Sequence, residues 1–285
     1  MLAPESKLPI LRTVARVYRF IAAHPADLIR IGWLPLLLLL GAGIGLDIAS
    51  DGDADSASTQ FIGKVALASL LQGAIGVIML VAWHRLVMRD YALAATAAAG
   101  PARREIAYFL RVLGLSVLFL IVFLVAFMVA EIVLIGIHWA ATGTGQPAGT
   151  ADPSSAHVLL GFMAVLIGLF PAFYVTLRLS LALPATAVDR DSHFGRSWRA
   201  SRGNGWRMVM VTVLAMLPVE AINAGIAFAG KPLRDTPWHL PVLAAGSVTM
   251  LVLMAVLGTA LSICYAALAS AATPQSFPLE TPVPA

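Results

Sequence analysis

Charged side chains are scarce in this chain. Asp, Glu, Lys and Arg make up only 12% of its 285 residues, whereas 59% of the residues are apolar. A typical soluble domain carries roughly 25% charged residues, so this chain has too few to cover a globule of its size with a charged surface. The composition excludes a soluble single-domain enzyme and, with a mean hydropathy of +0.86, indicates a membrane protein.

The chain also lacks the patterns that most catalytic and metal sites need. Its single cysteine, Cys264, excludes an intramolecular disulfide and a site with several thiolate ligands. The six histidines are scattered, with no pair three or four residues apart, which argues against a zinc hydrolase. No Gly-x-Ser-x-Gly or Ser–Lys spacing marks a nucleophile. We therefore expect no metal, no cofactor and no enzymatic activity.

Apolar runs, by contrast, are abundant. A helix needs about 20 residues to cross a hydrocarbon core roughly 30 Å thick. Six runs are long enough or nearly so, and none alternates in the way a barrel strand does. We predict an all-α polytopic membrane protein with six transmembrane helices, at residues 28–49, 65–83, 111–139, 157–183, 206–230 and 240–272.

The basic residues lie mainly on one side of these spans. If the N-terminus is placed inside, sixteen of the nineteen Lys and Arg residues fall on the inner side and three fall outside. Cytoplasmic segments of membrane proteins are enriched in Lys and Arg, so both termini are predicted to be cytoplasmic. The pI near 9.6 then favours anionic lipid headgroups, rather than nucleic acid, as the partner of these side chains.

The chain reads as one membrane domain, residues 1–272, built from three units of similar plan. Each unit is predicted to have a basic interfacial helix followed by a hairpin of two spans, and the units cover residues 1–88, 89–187 and 188–272. The alternative is that the pattern reflects only the basic inner loops that polytopic proteins share. The Pro-rich tail, residues 273–285, is predicted to be disordered and cytoplasmic.

Short amphipathic helices are predicted to precede the spans. Arg12, Arg16 and Arg19 share one helical face, opposite a face of aliphatic residues, which is typical of a helix lying in the membrane interface. Phe194 and Trp198 share a face of a second such helix near residues 192–202, which the glycines before Trp206 should end. We expect the aromatic residues to dip towards the acyl boundary.

Residues 174–217 carry a recognisable motif. An arginine in a span is followed by an aliphatic-Pro pair, an acidic residue, Ser-Trp-Arg and Gly-Asn-Gly-Trp-Arg; here these are Arg178, Leu183-Pro184, Asp189, Ser197-Trp198-Arg199 and Gly203-Asn204-Gly205-Trp206-Arg207. The segment resembles the membrane domain of some bacterial glycerophosphoryl diester phosphodiesterases and of stand-alone YciC-like inner-membrane proteins. The resemblance implies a six-span anchor or regulatory module in the bacterial inner membrane. It does not extend to a catalytic barrel of about 250 residues, for which the chain has no soluble stretch.

A few polar residues fall within apolar surroundings. A charge at the centre of a membrane helix costs about 2.5–3.5 kcal/mol, so such residues usually face protein or water. Glu131 and Glu220, with Asn223 one turn beyond Glu220, are therefore predicted to face the bundle interior and to share a polar pocket. Gly41 and Gly45 are predicted to form a close-packing surface on the first span.

These features favour a non-enzymatic multi-pass inner-membrane protein that acts as a scaffold, an anchor or a lipid-associated regulator, with a protein partner in the same membrane. One alternative is a transporter or channel whose site lies near Glu131 and Glu220, and the least favoured is an intramembrane enzyme. The residues predicted to contact lipid headgroups or nearby loops are Arg12, Arg16, Arg19, Arg178, Arg196, Arg199, Arg202, Arg207, Trp198 and Trp206. The sequence leaves the oligomeric state open.

Overall fold

The computed structural model describes residues 7–50, 59–90, 101–142, 155–190, 193–233 and 236–272. These residues form helices and no strands. The helices are α1 (Ile10–Ala23), α2 (Pro25–Ser50), α3 (Thr59–Asp90), α4 (Pro101–Thr142), α5 (Ser155–Leu179), α6 (Ala182–Ala187), α7 (Phe194–Ala200), α8 (Gly205–Gly230) and α9 (His239–Ala272), with a 3-10 turn at Lys231–Leu233. The predicted tail lies outside the described residues.

Six of the described helices, α2, α3, α4, α5, α8 and α9, are long and apolar enough to cross a membrane. Their outward faces carry large apolar side chains; on α4 alone Leu120, Val125 and Ile132 are more than half exposed. In water such a surface would be unstable, but in a bilayer it meets acyl chains. The predicted all-α, six-span architecture is confirmed.

Helix α9 lies at the centre of the bundle. It packs against α1, α2, α3 and α8, and its second half, including Val256, Ala260 and Cys264, is buried. The α4–α5 pair packs mainly on itself, and Phe119 of α4 meets Phe173 of α5 edge to face, with 5.3 Å between the ring centres. The bundle therefore has a compact core around α9 and a more peripheral hairpin.

The three predicted units differ at their start. The first has a separate helix, α1, which ends where His24 and Pro25 interrupt the chain, and the third has the separate helix α7. In the middle unit, Pro101 occupies the first position of α4, as prolines often do, and this helix continues without a break into the span. The prediction of a separate short helix is wrong for this unit, because nothing after Pro101 breaks the helix.

The two glycines of the first span that were predicted to pack, Gly41 and Gly45, meet no neighbour in the described part of the chain. A Cβ atom added at Gly41 or at Gly45 would meet nothing within 4 Å. The predicted close-packing surface is therefore absent at these positions, because α2 contacts its neighbours through other turns. The close approach occurs instead at Gly32, where an added Cβ would lie 2.7 Å from a Leu251 side-chain atom of α9.

Candidate functional site

Helices α6 and α7 contact each other at one end of the bundle, and the segment before α1 reaches the same end through the bond between Leu8 and Asn204. We call it the basic end because it also holds most of the described arginines. Arg178, in the last turn of α5, is buried there. Its Nε donates to Ser201 Oγ at 2.9 Å, and its Nη2 donates to the Trp198 carbonyl at 2.8 Å. The guanidinium carbon lies 3.5 Å from the centre of the Trp198 ring, a close cation–π contact. Arg178 therefore fastens α7 to the end of α5.

Two roles were predicted for Arg178, a contact with a lipid headgroup and an anchor for a nearby loop, and these bonds show the second. A headgroup contact would need the guanidinium to reach the surface, whereas its donors are used by the chain itself. The planar guanidinium suits this task because it can stack on a ring and donate in plane at once. Arg178 is a loop anchor.

The turn between α7 and α8 continues this arrangement. Gly203 has a φ of 75°, a conformation that favours glycine. Asn204 is buried, and its Oδ1 accepts a hydrogen bond from the Leu8 N–H at 2.9 Å. A Cβ atom added at Gly205 would lie 2.8 Å from Arg178 Cδ and 3.0 Å from the Tyr174 hydroxyl oxygen. The Gly-Asn-Gly sequence thus allows the chain to turn tightly against Arg178.

Arg207 also bonds within the protein. Its Nη1 donates to the Leu8 carbonyl at 2.8 Å, so together with Asn204 it holds the segment before α1 against the start of α8. Of the two contacts predicted for Arg207, a lipid headgroup or a nearby segment of the chain, this bond shows the second. Trp206, by contrast, is 47% exposed and packs one side on Phe170, at 5.0 Å between ring centres.

A buried ion pair fixes α6. Arg104 of α4 contacts Asp189 through Nε, at 3.0 Å from Oδ1, and through Nη2, at 2.5 Å from Oδ2. Asp189 has a φ of 55°, which is uncommon for a residue with a side chain. Every residue of α6 is buried. The pair therefore holds a buried element at the basic end with the two-point geometry that strengthens Arg–carboxylate contacts.

A polar network crosses the core just inside the basic end. His84 contacts Ser262 Oγ through Nδ1, at 2.6 Å, and the Tyr108 hydroxyl through Nε2, at 3.0 Å. Beside it, Trp83 Nε1 donates to Thr259 Oγ1 at 2.8 Å. These bonds connect α3 with α4 and α9. In a membrane bundle such bonds add association between helices where apolar side chains alone cannot distinguish protein from lipid.

Helix α1 is amphipathic, as predicted, but its apolar face packs on the protein. Arg12, Arg16 and Arg19 are exposed, and Val17 on the opposite face is completely buried. The apolar face packs on α8 and α9, and the Tyr18 hydroxyl donates to the Ala215 carbonyl at 2.6 Å. Burial raises the pKa of Tyr18 above its ordinary value, so the hydroxyl remains a donor. Protein, rather than the acyl boundary, covers this face.

Helix α7 presents its basic residues outward. Arg196, Arg199 and Arg202 are exposed, and Phe194 and Trp198 are each 38% exposed. The predicted helix is confirmed, although it begins at Phe194 after His193, which makes no side-chain capping bond. Ser192, expected at its start, lies outside the described residues. The arginines and the two rings thus form an ordered outer surface held from within by Arg178.

The structure does not bring the two glutamates together. Glu131 of α4 is half-buried, and its Oε1 would lie 3.7 Å from a Cβ added at Gly161 of α5. Glu220 of α8 is exposed and Asn223 is half-buried. The predicted shared pocket is not formed by the described residues, because one carboxylate lies in the α4–α5 hairpin and the other on the outer face of α8.

No family model, curated protein or solved structure matches this chain.

Five residues of the motif in 174–217 converge on one site, whereas Asp189 of the same motif pairs with Arg104. Arg178, Trp198, Asn204, Gly205 and Arg207 all belong to one set of contacts at the start of α8, although they are up to 29 residues apart in the sequence. The sequence interpretation missed the pairing of Arg104 with Asp189 and the His84–Tyr108–Ser262 network. Ser262 and Thr259 were detectable as a polar pair one turn apart in a largely apolar span, but their partners were not.

Proposed function

We propose that this protein is a non-enzymatic, multi-pass protein of the bacterial inner membrane whose basic end faces the cytoplasm. There it serves as a lipid-associated scaffold or regulator. Six exposed arginines bind anionic phospholipid headgroups: Arg12, Arg16 and Arg19 on α1, Arg196 and Arg199 on α7, and Arg202 in the turn after α7. The charge asymmetry of sixteen basic residues against three supports the orientation.

The observation that carries this proposal is the order of α7. Basic residues in a flexible loop would suffice to set orientation, whereas a lipid-binding surface needs its charges held in place. Arg178 bonds to Ser201 and to the Trp198 carbonyl, so the chain uses a buried arginine to hold a helix whose outer face is basic. Each basic residue near an anionic surface adds about 1 kcal/mol of attraction.

The resemblance of residues 174–217 to YciC-like membrane domains supports a role as an anchor or regulator, and such a role implies a protein partner in the same membrane. Five of the motif residues form one set of contacts at the start of α8. The resemblance therefore concerns the part of the chain that holds α7 in place. The transport alternative required Glu131 and Glu220 in one pocket, and no observation on the described residues favours it.

Retention of lipid through purification tests the proposal. The protein is extracted in native-lipid particles, and the phosphatidylglycerol that copurifies is measured by mass spectrometry. We expect the double variant Arg196→Gln/Arg199→Gln to retain several-fold less of this lipid than the wild type, because two charges of the ordered surface are lost. Copurifying proteins measured in the same samples would identify the partner.

The matched control is Arg196→Lys/Arg199→Lys, which keeps both charges and should retain phosphatidylglycerol close to the wild-type amount. Equal retention by the Gln and wild-type proteins would leave α7 with a topological role only and would refute the proposal.

A further inference from the structure

Arg85 differs from Arg104 and Arg178, the two arginines that the fold buries most. It follows His84 in α3, inside the membrane-spanning part of that helix. Its Nη1 atom is buried, and it has no hydrogen-bond partner among the residues that the structure describes. The residue as a whole is only half-buried, so part of its side chain lies at the protein surface. A buried, charged donor without an acceptor is strongly unfavourable.

Arg104 and Arg178, unlike Arg85, find hydrogen-bond acceptors within the protein. Arg104 is paired with Asp189, and Arg178 donates to Ser201 and to the Trp198 carbonyl. The fold thus supplies acceptors for the two arginines that it buries most. Arg85 requires an acceptor from elsewhere, and a guanidinium prefers a carboxylate or a phosphate.

An apolar cavity of about 200 Å³ lies beside the same face of α3. Its walls are apolar side chains of α3 and α4 with one carboxylate, from Ala74, Val77, Ile78, Ile106, Phe109 and Glu105. At 3.6 residues per turn, Arg85 falls within about 20° of both Ala74 and Ile78 around the helix. Ala74 and Ile78 are exposed, so the cavity opens to the lipid. Arg85 lies on the same face of α3, two turns beyond Ile78 and outside the cavity.

Arg85 also lies near the end of its span. It precedes Asp90, the last residue of α3, by five positions, or about 7.5 Å along the axis. An arginine stem can bridge such a distance towards the headgroup region while its methylenes stay among apolar groups.

We propose that the Arg85 guanidinium binds the phosphate of a membrane phospholipid whose acyl chain occupies the cavity between α3 and α4. When the Arg85 side chain turns towards the surface, the phosphate supplies the acceptor that Nη1 lacks, and the cavity positions the acyl chain of the same lipid. This site is separate from the basic surface of α7 and does not depend on that surface binding lipid.

Thermal unfolding of the lipid-depleted protein in detergent tests this site. The additives are dioleoyl phosphatidylglycerol, a neutral galactolipid with the same acyl chains, and inorganic phosphate. For the wild type we expect phosphatidylglycerol to raise Tm by roughly 2–4 °C through mass action, and the other two additives to have no such effect. In Arg85→Gln the response should disappear, whereas Arg85→Lys should keep part of it.

The control is Arg89→Gln, which removes an exposed arginine one turn further on and should respond like the wild type. Arg196→Gln/Arg199→Gln should also respond, which separates this site from the α7 surface. Because Arg85→Gln removes an unpaired buried charge, its Tm without lipid should not fall below that of the wild type.

Three outcomes would overturn the proposal. An equal response of Arg85→Gln and wild type would place the lipid elsewhere. An equal effect of inorganic phosphate would exclude the acyl chain as part of the ligand. A loss of Tm without lipid in both Arg85→Gln and Glu105→Gln would show that Glu105, within the protein, is the partner of Arg85.

Discussion

At the residue scale, Gly205 shows how one missing side chain permits the basic end to close. Its Cα approaches the Arg178 side chain and the Tyr174 ring so closely that an added Cβ would lie 2.8 Å and 3.0 Å from them. Arg178 cannot withdraw without losing its bonds to Ser201 and the Trp198 carbonyl. The glycine is therefore needed for close approach, in addition to its place at the start of α8.

We expect Gly205→Ala to destabilise the protein by about 1–3 kcal/mol, as overpacking in a dense site does. Gly225→Ala is the matched control, because it lies on the same helix and an added Cβ there meets nothing within 4 Å. That change should be neutral or stabilising by up to about 1 kcal/mol, since alanine favours helix more than glycine does. Thermal unfolding in nanodiscs compares the two, and equal effects would contradict the contact.

The identity of the motif residues was readable from the sequence, but their roles were not. Arg178 and Arg207 were predicted as candidates for headgroups or loops, and both bond to the protein. An arginine near the end of a span can reach both lipid phosphates and backbone carbonyls of its own chain. The sequence does not say which of the two lies closer. Arg12, Arg16 and Arg19, by contrast, are exposed as their shared helical face predicted.

At the scale of elements, α7 depends on α5 for its position. The helix has only seven residues, too few to be stable alone, and its inner contacts are those of Arg178. The elements of the basic end are thus held by polar contacts to backbone and side chains, whereas the spans below are held by apolar packing and the His84 network.

Arg178→Gln should therefore free α7 before it unfolds the bundle. We expect the backbone amides of residues 194–200 to exchange with deuterium at least tenfold faster, because each hydrogen bond from a charged donor contributes about 1.5–3 kcal/mol. Amides in the second half of α9 should exchange at an unchanged rate. Hydrogen exchange read by mass spectrometry measures both.

The control for this experiment is Arg190→Gln, which removes an exposed charge from the neighbouring turn and should leave α7 protected. Unchanged exchange of α7 in Arg178→Gln would mean that other contacts order this helix.

At the scale of the whole molecule, the prediction concerns orientation. In a Cys264→Ala background, cysteines at Ser56 and Thr150 should react with a membrane-impermeant thiol reagent added from the periplasmic side of intact spheroplasts. A cysteine at Gly195 of α7, an exposed position, should react only after the membrane is permeabilised. Labelling of Gly195→Cys in intact spheroplasts would reverse the proposed orientation.

The membrane class, the helical fold and the six spans were predictable from the sequence because they depend on local properties. Mean hydropathy and the length of an apolar run decide whether a segment can cross a bilayer, and neither requires knowledge of distant residues. The break at His24-Pro25 and the turn at Gly203 were predictable for the same reason. Proline and glycine act on the backbone that carries them.

Only the tertiary structure decided what covers each apolar face and what neutralises each buried charge. The apolar face of α1 was expected to meet lipid and instead meets α8 and α9, and Glu131 and Glu220 were expected together but lie apart. Acyl chains and packed side chains are equally apolar, so hydrophobic periodicity cannot tell one from the other. The choice was settled by contacts between distant residues, such as Leu8 with Asn204 and Arg104 with Asp189, which no local pattern contains.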